Sequence, residues 1–264
     1  MKLSERLYED YLKKSRLKEY EKLLVSARDS GYKMLSIIDF YYMMTQGKVN
    51  EIDKIIVNRH DIDTSPKVAK EMFDIERRVY GNEGSATYYF RKSTYDENLI
   101  KSIDKYGYEV GYHYEEIATV EKKIKTKNID LLMKFFPEIK KMFLNNIFDF
   151  REKSGCKVVS VASHGDFVNV KLNFQNKELL LNGDVRKEAG IIVEAYDDII
   201  EKNITHRYAD QILLADFTKS VLEGIMRNER IILMLTHPRN WKVDMRANTI
   251  DNVLRAVDGF LYNI

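Results

Sequence analysis

Residues 54–66 read KIIVNRHDIDTSP, and the order of residue types within that stretch decides the fold. Ile55, Ile56 and Val57 form a short β-branched run, the mark of a strand. A polar segment, Arg59-His60-Asp61-Ile62-Asp63, closes the strand. Thr64-Ser65-Pro66 then predicts a helix start, with a hydroxyl at the cap and a proline preset for the first turn. Val68, Met72, Ile75 and Val79 continue it as an apolar stripe. A strand followed by a helix is one βα unit, and the same phrase recurs outward along the chain. Further strand runs are Met34 to Ile38, Ala86 to Phe90, Tyr108 to Gly111, Val158 to Ala162, Ile191 to Ala195 and Ile231 to Leu235. About seven strands alternating with helices predict an α/β fold with parallel strands, either an open doubly wound sheet or a barrel.

The segments between the strands follow helical grammar. Asp96 is placed to cap a helix carrying Leu99, Ile100 and Ile103, and Gly107 to end it. Leu131 to Phe150 has core spacing that Pro137 must kink or divide. Phe167 to Lys187 breaks the rhythm and reads as an insertion or long loop. Ile250, Val253, Leu254, Val257, Phe260 and Leu261 predict a final amphipathic helix. Before the first strand, apolar residues from Leu3 to Leu24 recur among many Lys and Glu. The organisation is thus one domain over 1–264 with an N-terminal helical extension over 1–30.

Composition removes several function classes. With 44% hydrophobic residues, 3 Pro and 12 Gly in 264 residues, the chain is too apolar for disorder. No run approaches the roughly 20 apolar residues of a transmembrane helix. Net charge is +2, from 43 basic and 41 acidic side chains, too near balance for a dedicated nucleic-acid binder. Lys122 to Lys127 reads as a solvated helix end or loop. The N-terminus lacks an apolar signal core, and the single Cys156 suits a reducing compartment, so the expected location is cytoplasmic.

Chemistry is expected where strand carboxyl ends converge, and four of the five histidines stand at such ends. Period-two alternation sends Asp61 and Asp63 to one side and His60 and Ile62 to the other. Two carboxylates side by side repel unless a cation or proton separates them. One could instead cap the next helix while the other pairs with Arg59. Gly111-Tyr112-His113-Tyr114-Glu115 adds an imidazole, with Glu115 as a further ligand or a partner that orients it. Ser163-His164-Gly165-Asp166 is either a plain turn or a functional strand-end loop. Thr236-His237-Pro238 ends the last strand run, and Trp241 beyond it is either a floor for a sugar ring or a plug of the barrel end. His206 follows no strong strand pattern and reads as a surface or substrate-contact residue. Glu194 and Asp197 are weaker candidates.

In chain order the motifs are RHDID, ATYYFR, YEVGYHYE, VASHGD and LTHPRNW. Together they resemble the polysaccharide deacetylase superfamily, and most its branch with an HDxD first motif, found in bacterial surface-polysaccharide pathways. The resemblance runs from about Lys54 to Trp241. It implies a distorted (β/α) barrel of about seven parallel strands that uses a divalent metal, most readily Zn2+, to remove an N-acetyl group from an amino sugar. The carbohydrate substrate implied is a surface polysaccharide or its precursor, as in O-antigen or capsule. It implies Asp61 as catalytic base, Asp63 and His113 as metal ligands and His237 as general acid. Two departures stand out: Ile117 occupies the place of the usual second histidine, and one residue separates Asp61 from Asp63. His164 is the candidate to complete the ligand set. Arg59, Tyr114, Glu115 and Trp241 are the candidate substrate contacts. The alternatives are a catalytically degenerate carbohydrate-binding barrel and a hydrolase of another small amide.

Overall fold

The computed structural model describes residues 3–181, 183–210 and 214–263. Eight strands form one sheet: β1 (Lys33–Leu35), β2 (Ile55–Ile62), β3 (Thr87–Phe90), β4 (Glu109–Tyr114), β5 (Ser160–Ser163), β6 (Val193–Glu194), β7 (His206–Ala209) and β8 (Ile231–Thr236). Seven lie in the order β6-β5-β4-β3-β2-β8-β7, and every neighbouring pair is parallel. β1 runs beside the first half of β2, and β3 takes over that edge from Arg59 onward. Each expected run overlaps a strand. The additional one, β7, reads HRYA and is exposed or half-buried throughout, so no apolar run announces it.

The sheet is curled into a half-barrel. Neighbouring strands stand about 4.8 Å apart, so β5 and β8, four steps apart, would be separated by about 19 Å in a flat sheet. Yet His164 beyond β5 and His237 beyond β8 both come within 4.0 Å of Asp63 at the end of β2. Arg59 of β2 likewise reaches the Tyr196 hydroxyl beyond β6 at 3.1 Å.

Alternation along β2 sorts the two faces. Ile55 and Val57 join an inner cluster with Val193, Ile231 and Leu233, whereas Ile56 and Ile62 join the outer core beneath the helices. Helix Ile37–Thr45 closes the amino end of the half-barrel with Ile37 and Phe40. The inner face is therefore apolar below and polar above, where Arg59, Asp61 and His113 stand. Gly111 lies on this face because a Cβ there would collide with the Tyr89 ring.

The helical layer departs from expectation at one cap and decides two alternatives. Ser65 does cap helix Pro66–Tyr80 by position, but its φ of 62° is left-handed and its hydroxyl makes no capping bond. Pro137 divides rather than kinks, since helix Phe136–Ser154 starts with it and Ile129–Met133 is separate. Phe167 to Lys187 is an insertion of short helical segments rather than a long loop. At the N-terminus, helix Leu17–Asp29 buries Tyr20, Leu23, Leu24 and Ala27 in the outer core. Among the described residues no helix is long and apolar enough to cross a membrane.

Candidate metal centre and active site

β2 delivers Asp61 on the inner face and Asp63 just past its end. β4 delivers His113, the loop after β5 delivers His164, and the end of β8 delivers His237. Curling brings these strand ends together over the polar half of the inner face. His113 Nε2 stands 3.2 Å from Asp63 Oδ1 and 3.5 Å from Asp61 Oδ2, and His164 Nε2 stands 3.5 Å from Asp63 Oδ1. Asp63, His113 and His164 each offer one ligand atom, all within 4.8 Å of one another.

The hydrogen bonds around these groups fix which atoms face inward. Nδ1 of His113 donates to the Ala162 carbonyl at 2.9 Å, so in the neutral ring Nε2 carries the lone pair that faces Asp63. Glu115 Oε2 lies 3.1 Å from His164 Nδ1, and Arg91 holds both Glu115 oxygens at 2.8 to 3.1 Å. Burial alone would raise the Glu115 carboxyl, but His164 and Arg91 bring it down to about 2. Buried Asp63 Oδ1 has no hydrogen-bond partner. A buried carboxylate oxygen beside two imidazole nitrogens calls for positive charge, either a cation between them or a proton on the rings. When the rings are protonated, His164 and His113 supply that charge themselves and hold Asp63 well below the carboxylate range, against its burial. The donor set, one carboxylate and two imidazoles, fits a divalent ion of the zinc type with an open position.

Two further groups flank the cluster. Asp61 receives Arg59 Nε on Oδ1 and Arg59 Nη2 on Oδ2, both at 2.8 Å. Burial would raise its carboxyl, yet Arg59 and His113 keep it low and ionised. His237 Nδ1 is 2.6 Å from Asp210 Oδ1, which leaves Nε2 facing Asp63 Oδ2 at 4.0 Å. Burial opposes protonation of that ring, but Asp210, Asp63 and Asp61 raise it to about 9. Asp210 Oδ2 also accepts from the His237 amide and from Trp241 Nε1, so the carboxylate is fully engaged.

Of the four substrate-contact candidates, three are buried away from the cavity and one stands at the site. Arg59 is 0% exposed, between the Tyr89 and Tyr196 rings and locked to Asp61. Trp241 is also 0% exposed: the turn Pro238–Asn240 returns it to the core against Tyr20 and Phe217, where it plugs the barrel end and braces Asp210. Tyr114 faces the helices beside Phe143 because its neighbour His113 faces inward. Glu115 stands at the site with its oxygens committed to Arg91 and His164. His206 begins β7 at the amino end of the sheet, remote from the cluster. Glu194 and Asp197 serve local structure, Glu194 accepting the Ser163 and Tyr196 amides and Asp197 pairing with Arg186. Asp210 and Tyr196 were not foreseen. Ile117, where the motif resemblance leads one to seek a histidine, is fully buried in helix Glu116–Ile124.

A cavity of about 840 Å³ opens over the cluster, lined on one side by Asp63, Arg91 and His164 and on the other by Leu7, Ile250 and Leu254 of the terminal helices. The chain matches no protein-family model and no curated protein. Among solved structures it is similar to the peptidoglycan deacetylase PdaC from Bacillus subtilis, at 17% identity and a TM-score of 0.41, over 80% of this chain and 87% of that one. A mutant of the same protein gives 16%, 0.40 and the same coverage.

Proposed function

We propose that the chain is a metal-dependent hydrolase that removes an N-acetyl group from an amino sugar of a bacterial surface polysaccharide or of its precursor. One observation carries the reading: Asp63, His113 and His164 form a one-carboxylate, two-imidazole cluster with an ionised Asp61 on one flank and a protonated His237 on the other. The order of the five motifs supports the sugar and the acyl group.

Bound there, a divalent ion supplies Lewis acidity toward an acyl oxygen and a water. Asp61 takes the water's proton on a carboxylate oxygen, and Arg59 fixes the orientation of that carboxylate without touching the substrate. His237 Nε2 gives a proton to the departing amine, while Asp210 keeps Nδ1 protonated and the ring in place. His113 and His164 are aligned by the Ala162 carbonyl and by Glu115. Arg91 stands on the cavity wall behind Glu115, where it keeps that carboxylate ionised.

The test is elemental mass spectrometry on protein purified without chelator, paired with acetate release from acetylated chito-oligosaccharides. Wild type should carry near-stoichiometric transition metal and release acetate. Asp63→Ala should lose both together, and His237→Ala should keep the metal and lose turnover. Oligosaccharide binding with no metal and no acetate released from any acetylated amino sugar sinks the proposal in favour of a degenerate carbohydrate-binding barrel.

A further inference from the structure

Helix Met245–Asn263 presents its polar side to the protein and its apolar side to water. Asn248 Nδ2 donates to the Asp10 carbonyl at 2.8 Å, Asn252 Nδ2 to Asp10 Oδ2 at 2.9 Å, and Tyr262 donates to Glu121 at 2.7 Å. Asp251 accepts from Arg239 and Asp258 from Lys122. Only Asn248 and Tyr262 of this helix are buried. The opposite face carries Ile250, Val253, Leu254, Val257, Phe260 and Leu261, all exposed, Phe260 by 68%. They occupy positions a, d and e of two successive heptads, the stripe a helix uses against another helix.

Leu7, which borders the same cavity as Ile250 and Leu254, joins the stripe to exposed Tyr8 and Leu12 of the N-terminal turns. Together nine large apolar residues are 46–72% exposed, on the order of 1,000 Å² at about 200 Å² per large side chain. The largest patch on a typical monomer is about 300–600 Å², and each partner of a standard interface contributes about 800 Å². A lipid surface wants cations beside such a stripe. This helix has two arginines against two aspartates, and Arg255 is paired with Asp251 at 2.8 Å.

We propose that this face is a homodimer interface in which helix Met245–Asn263 packs against its own copy. The contact is isologous, so a residue near the middle of the stripe faces itself across the two-fold axis whether the helices run parallel or antiparallel. Because Ile250 and Leu254 also line the cavity, the second copy forms part of its outer wall.

Light scattering on the full chain should give twice the 31.1 kDa of one copy. The double substitution Val253→Glu with Phe260→Glu should give monomers that keep the wild-type circular dichroism, since neither side chain is buried in one copy. Val257→Cys should cross-link to itself under mild oxidation, with buried Cys156 as the silent background. A monomeric wild type overturns the proposal, and if that monomer binds phosphatidylglycerol vesicles the face belongs to a membrane. So does a dimer that survives the double substitution and leaves Val257→Cys uncross-linked.

Discussion

The inner face of the half-barrel and the C-terminal helix use the same residue types in opposite senses. On the inner face, Ile55, Val57 and Leu233 are hidden, and polar Arg59, Asp61 and His113 are held at the upper end. On the helix, Asn248, Asn252 and Tyr262 turn inward, and the aliphatic stripe meets water. The difference teaches that most polar groups enter the interior with a partner, whereas apolar residues follow whatever surface remains. Arg59 brings its own carboxylate two residues away. Asp10 and Arg239 do the same for the helix, a buried carboxylate and a guanidinium that clamp the two terminal segments together.

The comparison breaks first at the polar end of the inner face. Replacing His237 by Ala, the best-oriented acid there, should cost about 10²- to 10⁴-fold in kcat with metal content unchanged. Asp210→Asn should fall in the same direction by about 10- to 100-fold, because it leaves the ring but loosens its orientation. Equal turnover in wild type and Asp210→Asn would detach Trp241 and Asp210 from the chemistry. At the apolar end, Leu233→Ala should cost about 2–5 kcal/mol in chemical denaturation, since it leaves a cavity among packed side chains.

Between these ends sits Glu109 at the start of β4. Its Oε2 accepts from the Thr87 hydroxyl at 2.5 Å and the Ile38 amide at 3.0 Å, while Oε1 is buried without a partner. Burial outweighs these hydrogen bonds and raises the carboxyl from 4.5 to about 7. The folded state therefore holds a proton that the unfolded state has released over that interval, and stability falls as pH rises from about 4.5 to 7. Glu109→Gln removes the titration. Its stability relative to wild type should climb by about 1–3 kcal/mol across that window and level off above it. Parallel pH profiles for the two proteins would show that the carboxyl is solvated.

Much of this arrangement is legible in the sequence, for stated reasons. Period two along β2 separates Asp61 from His60, which turns to Glu76 and Thr236 in the outer layer. The rule that strand ends converge gathers Asp63, His113, His164 and His237. The same alternation, applied one residue further, puts Tyr114 away from the site. Asp210 is not legible, because it follows the polar strand β7, and neither is the return of Trp241 to the core, which depends on the turn at Pro238–Asn240. The C-terminal stripe is legible as a stripe, yet spacing gives a period and never the direction in which the face points.

The direction is what the smallest effect tests. Leu254 and Leu233 are the same residue type in regular structure, one 55% exposed and one 5% or less along with its strand. If the stripe faces water in a single copy, Leu254→Ala measured on the monomeric double variant Val253→Glu with Phe260→Glu should change unfolding free energy by no more than about 0.5 kcal/mol. The same substitution in the wild-type background should weaken the dimer instead, making the melting temperature depend more steeply on protein concentration. A cost near that of Leu233→Ala in the monomer would mean that the helix packs on its apolar side. The contacts from Asn248, Asn252 and Tyr262 would then be broken in solution, and the two regions would obey one rule after all.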